Sequence, residues 1–283
     1  MKSSRPIAIL TDFGLTDHFV GVLKGVIKSI APDAYTVDIT HENPPGDIQR
    51  AAVTLWQSKS YFPPGTIFLC VVDPGVGTAR NAIIVESGQN YYIGPDNGVF
   101  SFVLESGFQV HEITNSDFFL PNPSKTFHGR DLFAPVAAHV SLGIEPSHLG
   151  QAVNNIVRKP DPLLEYHTPE EIHGQILHVD RFGNLLTSLG CFYHHDGDSL
   201  LFDPWLPILD KHSMKKILRS RDINIEIPGG NSLSVVENFS QVSQGECGAL
   251  IGSSRLFEIV AYNDSASRLL GLVGGEVIHL NIL

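Results

Sequence analysis

The chain has 283 residues, 42% of them hydrophobic and 17% charged, which excludes a disordered or membrane-embedded protein and leaves room for a large core. Its 19 basic and 30 acidic residues leave a formal charge of −11 with no segregated basic run, so nucleic acid is not expected as a partner. No apolar run reaches transmembrane length, and Met1 to Pro6 leads into a short strand instead of a signal-peptide core, so no membrane partner and a cytoplasmic location are expected.

In chain order, Ile7 to Leu10 reads as a strand ending at Thr11-Asp12-Phe13-Gly14. Phe19, Val20, Leu23, Val26, Ile27 and Ile30 then recur at helical spacing, giving one face to lie on a sheet. Tyr35 to Thr40 reads as the next strand, and Pro44-Pro45-Gly46 breaks the chain before Asp47, which is placed to cap a helix running to about Lys59. The strand Thr66 to Val72 enters Asp73-Pro74-Gly75-Val76-Gly77-Thr78-Ala79-Arg80, and strands at Ala82 to Glu86 and Tyr91 to Ile93 precede Gly94-Pro95-Asp96-Asn97-Gly98 and a short helix. A helix through Phe133, Val136, Ala137 and Val140 follows Phe127-His128-Gly129-Arg130-Asp131, with Asp131 as its expected cap.

Alternating strands and helices predict a mainly parallel sheet in an α/β domain over residues 1–160. Prolines between Arg158 and Glu171 mark a boundary. Beyond it, over 170–283, strands are expected at Gly174 to Val179, Leu185 to Leu189, Ile223 to Ile227, Leu233 to Val236, Ala249 to Ile251, Phe257 to Ala261 and Val277 to Ile282, with a helix near Ser265 to Leu270. A small all-β barrel or sandwich is the natural closure.

Ligands of open α/β sheets sit beyond the carboxyl ends of the strands, where Asp12 and Asp73 fall. Each has a plainer alternative: Asp12 as a helix cap, and Asp73 with Arg80 as a pinned turn. His128 beside a glycine serves either structure or chemistry. Asp180-Arg181-Phe182-Gly183-Asn184 is a turn by composition that also offers an aromatic face and an amide suited to adenine, and Gly252-Ser253-Ser254-Arg255 is a turn that could present hydroxyls to a carboxylate. Gly75-Val76-Gly77-Thr78 lacks the lysine of a phosphate-binding loop, and Thr11-Asp12-Phe13-Gly14 has none of the other kinase motifs around it. Cys70, Cys191 and Cys247 are widely separated and expected to be reduced. The 13 histidines show no zinc-protease spacing, and no metal is implied.

Together, Thr11-Asp12-Phe13-Gly14, Val72 to Gly77 with Arg80, Gly94 to Gly98, Phe127 to Asp131 and Asp180 to Asn184 resemble the S-adenosyl-L-methionine (SAM) hydroxide adenosyltransferase family, whose relatives include fluorinases and chlorinases. The resemblance implies hydrolysis of SAM, as substrate and without a cofactor, to adenosine and L-methionine through an Asp-Arg-His set at Asp73, Arg80 and His128, a set that the halogenating relatives lack. It further implies that Asp12 holds the ribose hydroxyls, that Phe182 and Asn184 contact adenine, and that Asp17, Asp180, Ser253 and Ser254 surround the methionine end. Glu258 fits the same strand pattern. The implied assembly is a homotrimer, with sites between one subunit's N-terminal α/β domain and its neighbour's C-terminal β-barrel. Two positions depart from the pattern: Arg255 stands where glycine often follows the serine pair, and Tyr262 where asparagine is usual.

Chemically, a sulfonium loses its charge as the carbon–sulfur bond breaks, so the site has only to align water with C5′ and exclude other solvent. Asp73 and His128 would orient that water or take its proton, and Arg80 would stabilise developing charge or fix Asp73. An arginine beside Asp73 makes it a poorer base and favours an orienting role. The rivals are halide transfer to the same carbon, a non-catalytic SAM or adenosine sensor, and an unrelated metal hydrolase.

Overall fold

The computed structural model describes residues 5–206 and 215–283, which fall into two compact units divided between Lys159 and Pro160. In the first unit, β1 (Ile7–Thr11), β2 (Thr36–Thr40), β3 (Ile67–Val71), β4 (Ala82–Ser87), β5 (Asn90–Pro95) and β6 (Gln109–Glu112) make one sheet in the order β2-β1-β3-β5-β4-β6. It is mainly parallel; β4 alone runs against its neighbours β5 and β6.

Strand alternation sends successive side chains to opposite faces. Ile7, Ile9, Ile67 and Leu69 therefore pack against Leu23 and Ile27 of α1 (Phe19–Ile30), while Ala8, Leu10, Phe68 and Cys70 face Ala51 and Leu55 of α2 (Ile48–Lys59). A third helix, α3 (Ala134–Ser141), adds Val136 and Val140 on the α1 side, which completes three layers. This double cover is why β1 and β3 are buried along their whole length. Asp47 caps α2 by accepting a hydrogen bond from the Arg50 N–H at 3.0 Å.

Three features of this unit differ from expectation. β6 was not anticipated, because Gln109-Val110-His111-Glu112 carries a single buried apolar residue. The short helix expected after Gly98 is a run of turns. Asp131 does not cap α3: a π-helical turn, Gly129–Phe133, runs directly into that helix, and Asp131 instead binds Arg130 and accepts from the Ser124 N–H at 2.8 Å.

The second unit is built on antiparallel pairs. β7 (Leu164–Thr168), β8 (Glu171–Val179), β9 (Leu185–Gly190), β10 (Phe192–Asp196), β11 (Ser199–Phe202), β12 (Lys216–Arg219), β13 (Ile223–Ile227), β14 (Asn231–Ser234), β15 (Cys247–Ile251), β16 (Leu256–Ala261) and β17 (Val277–Ile282) follow in sequence, with α4 (Ala266–Leu270) between the last two. The main sheet has the order β14-β13-β17-β8-β9-β16-β15, and its ends meet where the Val236 N–H donates to the Ala249 carbonyl at 2.8 Å. The sheet thus nearly closes into a barrel around Ile172, Ile176, Leu185, Ile225, Phe257, Ile259 and Leu280. Among the described residues β7 joins it through β8 alone, and β10, β11 and β12 form a separate small sheet.

Candidate active site

The order β2-β1-β3 means that the chain leaves β1 toward one neighbour and returns to the other, so the carboxyl ends of β1 and β3 flank a topological switch point. Asp12 follows β1 directly, and Asp73 lies two residues beyond β3. Between them a hollow of about 70 Å³ is lined by Asp12, Asp73, Val76, Phe127 and His128, among others.

Arg80 organises this hollow. Its Nε donates to both Asp73 oxygens at 3.0 Å, its Nη2 donates to Asp73 Oδ2, and the same Nη2 lies 2.8 Å from His128 Nδ1. A guanidinium has no acceptor, so His128 Nδ1 accepts and the neutral ring carries its proton on Nε2. Burial, and then the Arg80 charge, push the His128 pKa below its ordinary value, which favours that neutral form. The Asp73 and Arg80 side chains are only 5% and 11% exposed, so little water screens the pair. The guanidinium also lies 5.3 Å over the Phe133 ring, which steadies its plane.

The surrounding loops hold this set in place. Gly77 has φ +77°, and a Cβ there would fall 2.3 Å from the Lys125 carbonyl; this close approach ties the Asp73–Arg80 loop to the segment carrying His128. The Asn97 amide donates to the Val72 carbonyl at 2.8 Å, bracing the backbone just before Asp73. Asp12 accepts from the Gly46 N–H at 2.8 Å, and burial, assisted by the nearby Asp73 charge, raises its pKa. Phe13, Phe19 and Phe127 meet edge to face beside the hollow, with centroids 5.3 to 6.1 Å apart. Asp17 is exposed and is not among the residues lining the hollow.

In the second unit the remaining expected residues lie on two hairpin turns, Asp180 to Asn184 between β8 and β9 and Ser253 and Ser254 between β15 and β16, with Glu258 on β16. Asp180 spends both oxygens on its own turn, accepting from the Phe182 N–H at 2.8 Å and from the Asn184 N–H and side-chain amide at 2.9 Å. Phe182 is 78% exposed, and Asn184, with its amide nitrogen engaged, keeps its side-chain oxygen as an acceptor. Ser253 is exposed, whereas Ser254 Oγ is buried without a hydrogen-bond partner. The Glu258 carboxylate packs so closely on Gly252 that a Cβ there would lie 1.8 Å from Oε1; burial, with Asp180 adding like charge, raises the Glu258 pKa. Arg255 occupies a left-handed conformation, φ +67°, that glycine adopts freely, and its guanidinium covers the Tyr193 ring at 4.5 Å. Tyr262 is part-exposed in the turn after β16.

The Gly46 N–H and the Phe127 wall escaped sequence reasoning. Pro44-Pro45-Gly46 was legible only as a chain break, and Phe127 only as a neighbour of His128.

Residues 7–150 match the SAM hydroxide adenosyltransferase N-terminal domain and residues 205–279 the corresponding C-terminal domain. The chain is 35% identical to the (R)-S-adenosyl-L-methionine hydrolase of Thermus thermophilus, over 98% of this chain and 99% of that one. A solved structure of an uncharacterized conserved protein from Thermotoga maritima superimposes with a TM-score of 0.82 at 34% identity, covering 97% of this chain and 99% of the other. A fluorinase of Actinoplanes sp. is similar at 28% identity, over 65% of this chain and 71% of its own length.

Proposed function

Because the chain belongs to the SAM hydroxide adenosyltransferase family, we propose that it hydrolyses SAM at ribose C5′, giving adenosine and L-methionine. It is an enzyme acting on SAM. The observation that carries the mechanism is Arg80 bridging Asp73 and His128, two residues that line the hollow at the sheet's switch point.

In this reading Asp73 keeps lone pairs beyond those taken by Arg80 and accepts from the attacking water, while His128 Nε2–H donates to it. The water oxygen forms a bond to C5′ as the C5′–S bond breaks. The bonding pair passes to sulfur, which becomes the neutral thioether of methionine, and the water's proton leaves through Asp73 to solvent. The sulfonium needs no general acid, and the reaction no cofactor. Asp12 holds the ribose diol, Asn184 Oδ1 accepts from the adenine amine, and Phe182 stacks on the base. Ser253 and Ser254 receive the methionine carboxylate. Asp17 and Asp180 face its ammonium end, Asp180 chiefly by shaping its turn, and Glu258 supports the serine turn.

A hollow of about 70 Å³ is small against the roughly 300 Å³ or more of typical ligand pockets. This favours a site completed by the barrel of a neighbouring copy, as in a homotrimer. Among the described residues no helix is long and apolar enough to cross a membrane, and a cytoplasmic location suits the three free cysteines.

The Thermus relative's name specifies the R sulfonium, so the test supplies the R and S epimers separately, with and without chloride and fluoride. Adenosine and methionine released faster from the R epimer, independently of halide, are expected. A 5′-halogenated nucleoside, or tight binding without turnover, overturns the reading.

A further inference from the structure

The outer face of the barrel carries a side-chain cluster that SAM hydrolysis does not use. On β8, Glu171 and His173 are two residues apart and share a face. The register of β17 sets His279 directly opposite His173, and an irregularity between Tyr166 and Thr168 brings in His167 from β7. The His173 ring is stacked on both sides, with His167 at 4.5 Å and His279 at 4.3 Å between centroids. The cluster has one carboxylate: Glu171 Oε1 lies 3.0 Å from His173 Nε2 and 3.4 Å from His279 Nδ1.

The donor atoms of His167, Glu171 and His173 all lie within 4.8 Å of one another. A tetrahedral zinc ion needs its nitrogen and oxygen donors at about 2.0–2.2 Å, hence roughly 3.4 Å apart. Exposed His167 and half-buried Glu171 and His173 can make that contraction by side-chain rotation on their strands. Lys215 and Lys216 border the same surface, and Lys216 is tied to the Pro169 carbonyl at 2.6 Å. Two imidazole donors beside one carboxylate disfavour calcium or magnesium, which take oxygen ligands, and favour a metal of the zinc class.

We propose that His167, Glu171 and His173 bind one zinc-class ion, with a solvent position completing the shell and His279 orienting Glu171 and the His173 ring. The ion joins β7, which among the described residues pairs in the sheet through β8 alone, to that strand, and so acts as a structural clip.

The test uses the full chain after chelator treatment, titrated with cobalt(II) and then with zinc. The wild type is expected to develop the visible absorption of four-coordinate cobalt, saturating at one equivalent and bleached by zinc. Zinc is expected to raise its melting temperature. His173→Ala, Glu171→Gln and His167→Ala are each expected to lose both signals. His279→Ala is expected to weaken binding about tenfold to a hundredfold, as loss of an outer-shell partner does. His194→Ala with His195→Ala is expected to bind as the wild type does, and SAM hydrolysis to be unchanged in all of them. His167 is exposed, so His167→Ala remains decisive if His173→Ala does not fold. Absence of saturable cobalt binding in the wild type, or its survival in His167→Ala, overturns the proposal.

Discussion

Arg80 engages a carboxylate and an imidazole with one guanidinium, and this fixes what each partner can do. With Nδ1 accepting from Arg80, His128 can give a hydrogen bond to water but has no free lone pair to take a proton. Protonating His128 would set an N–H against the Arg80 Nη2, so activity is expected to fall as the pH drops through the His128 pKa, which lies below the ordinary 6.5. The same depressed pKa means that the unfolded chain binds the proton more readily. The contribution of His128 to folding stability is therefore present above pH 6.5 and is lost as the pH falls toward its folded value. A profile of kcat/KM against pH checks the activity claim: His128→Asn keeps an acceptor for Arg80, and the acid limb should vanish in it. A limb that persists unchanged moves the titration to a carboxyl whose pKa is raised, Asp12 or Glu258. At this scale, Asp73, Arg80 and His128 were legible as residue types in a motif. Arg80 as the hub was not, because it depends on a loop folding back across the Lys125 carbonyl.

That loop makes the element-scale argument. Gly77→Ala forces an L side chain into φ +77° and against a backbone oxygen, at a cost of about 1–3 kcal/mol. Since the clash lies between the Asp73–Arg80 loop and the His128 segment, kcat is expected to fall together with the thermal midpoint. Lost stability with full kcat would show that the loop contact does not position the Asp-Arg-His set. The strands β1, β3, β8, β9, β13, β16 and β17 were readable from apolar runs or alternation, because their burial is dictated by the layers they join. β7 was not, since prolines beside it read as linker and it pairs along one edge only. The β10 and β11 hairpin was missed although Asp196 and Ser199 pair across Gly197-Asp198, a Gly-Asp hairpin signal that the sequence does contain. The cluster of His167, Glu171, His173 and His279 was invisible for a further reason: it is assembled by strand register, which no short-range spacing records.

On the scale of the whole molecule, the proposed Asp-Arg-His set, Asp12 and Asp17 lie in one unit, and Asp180, Phe182, Asn184, Ser253 and Ser254 lie in the other. If these surfaces meet between copies, Asp73→Asn and Asn184→Ala variants, each inactive alone, should regain partial activity when unfolded, mixed and refolded together, with sedimentation reporting a trimer. A monomer, or no recovery in mixed oligomers, would contradict that assembly. The central claim is that water attacks C5′ through Asp73, Arg80 and His128. The measurement that tests it most directly is hydrolysis of SAM in water enriched in heavy oxygen, followed by mass spectrometry, beside Asp73→Asn. The account predicts one heavy oxygen in adenosine, none in methionine, and a rate roughly 10² to 10⁴ lower in the variant. Heavy oxygen in the amino-acid product, unlabelled adenosine, or an unchanged rate in Asp73→Asn would contradict it.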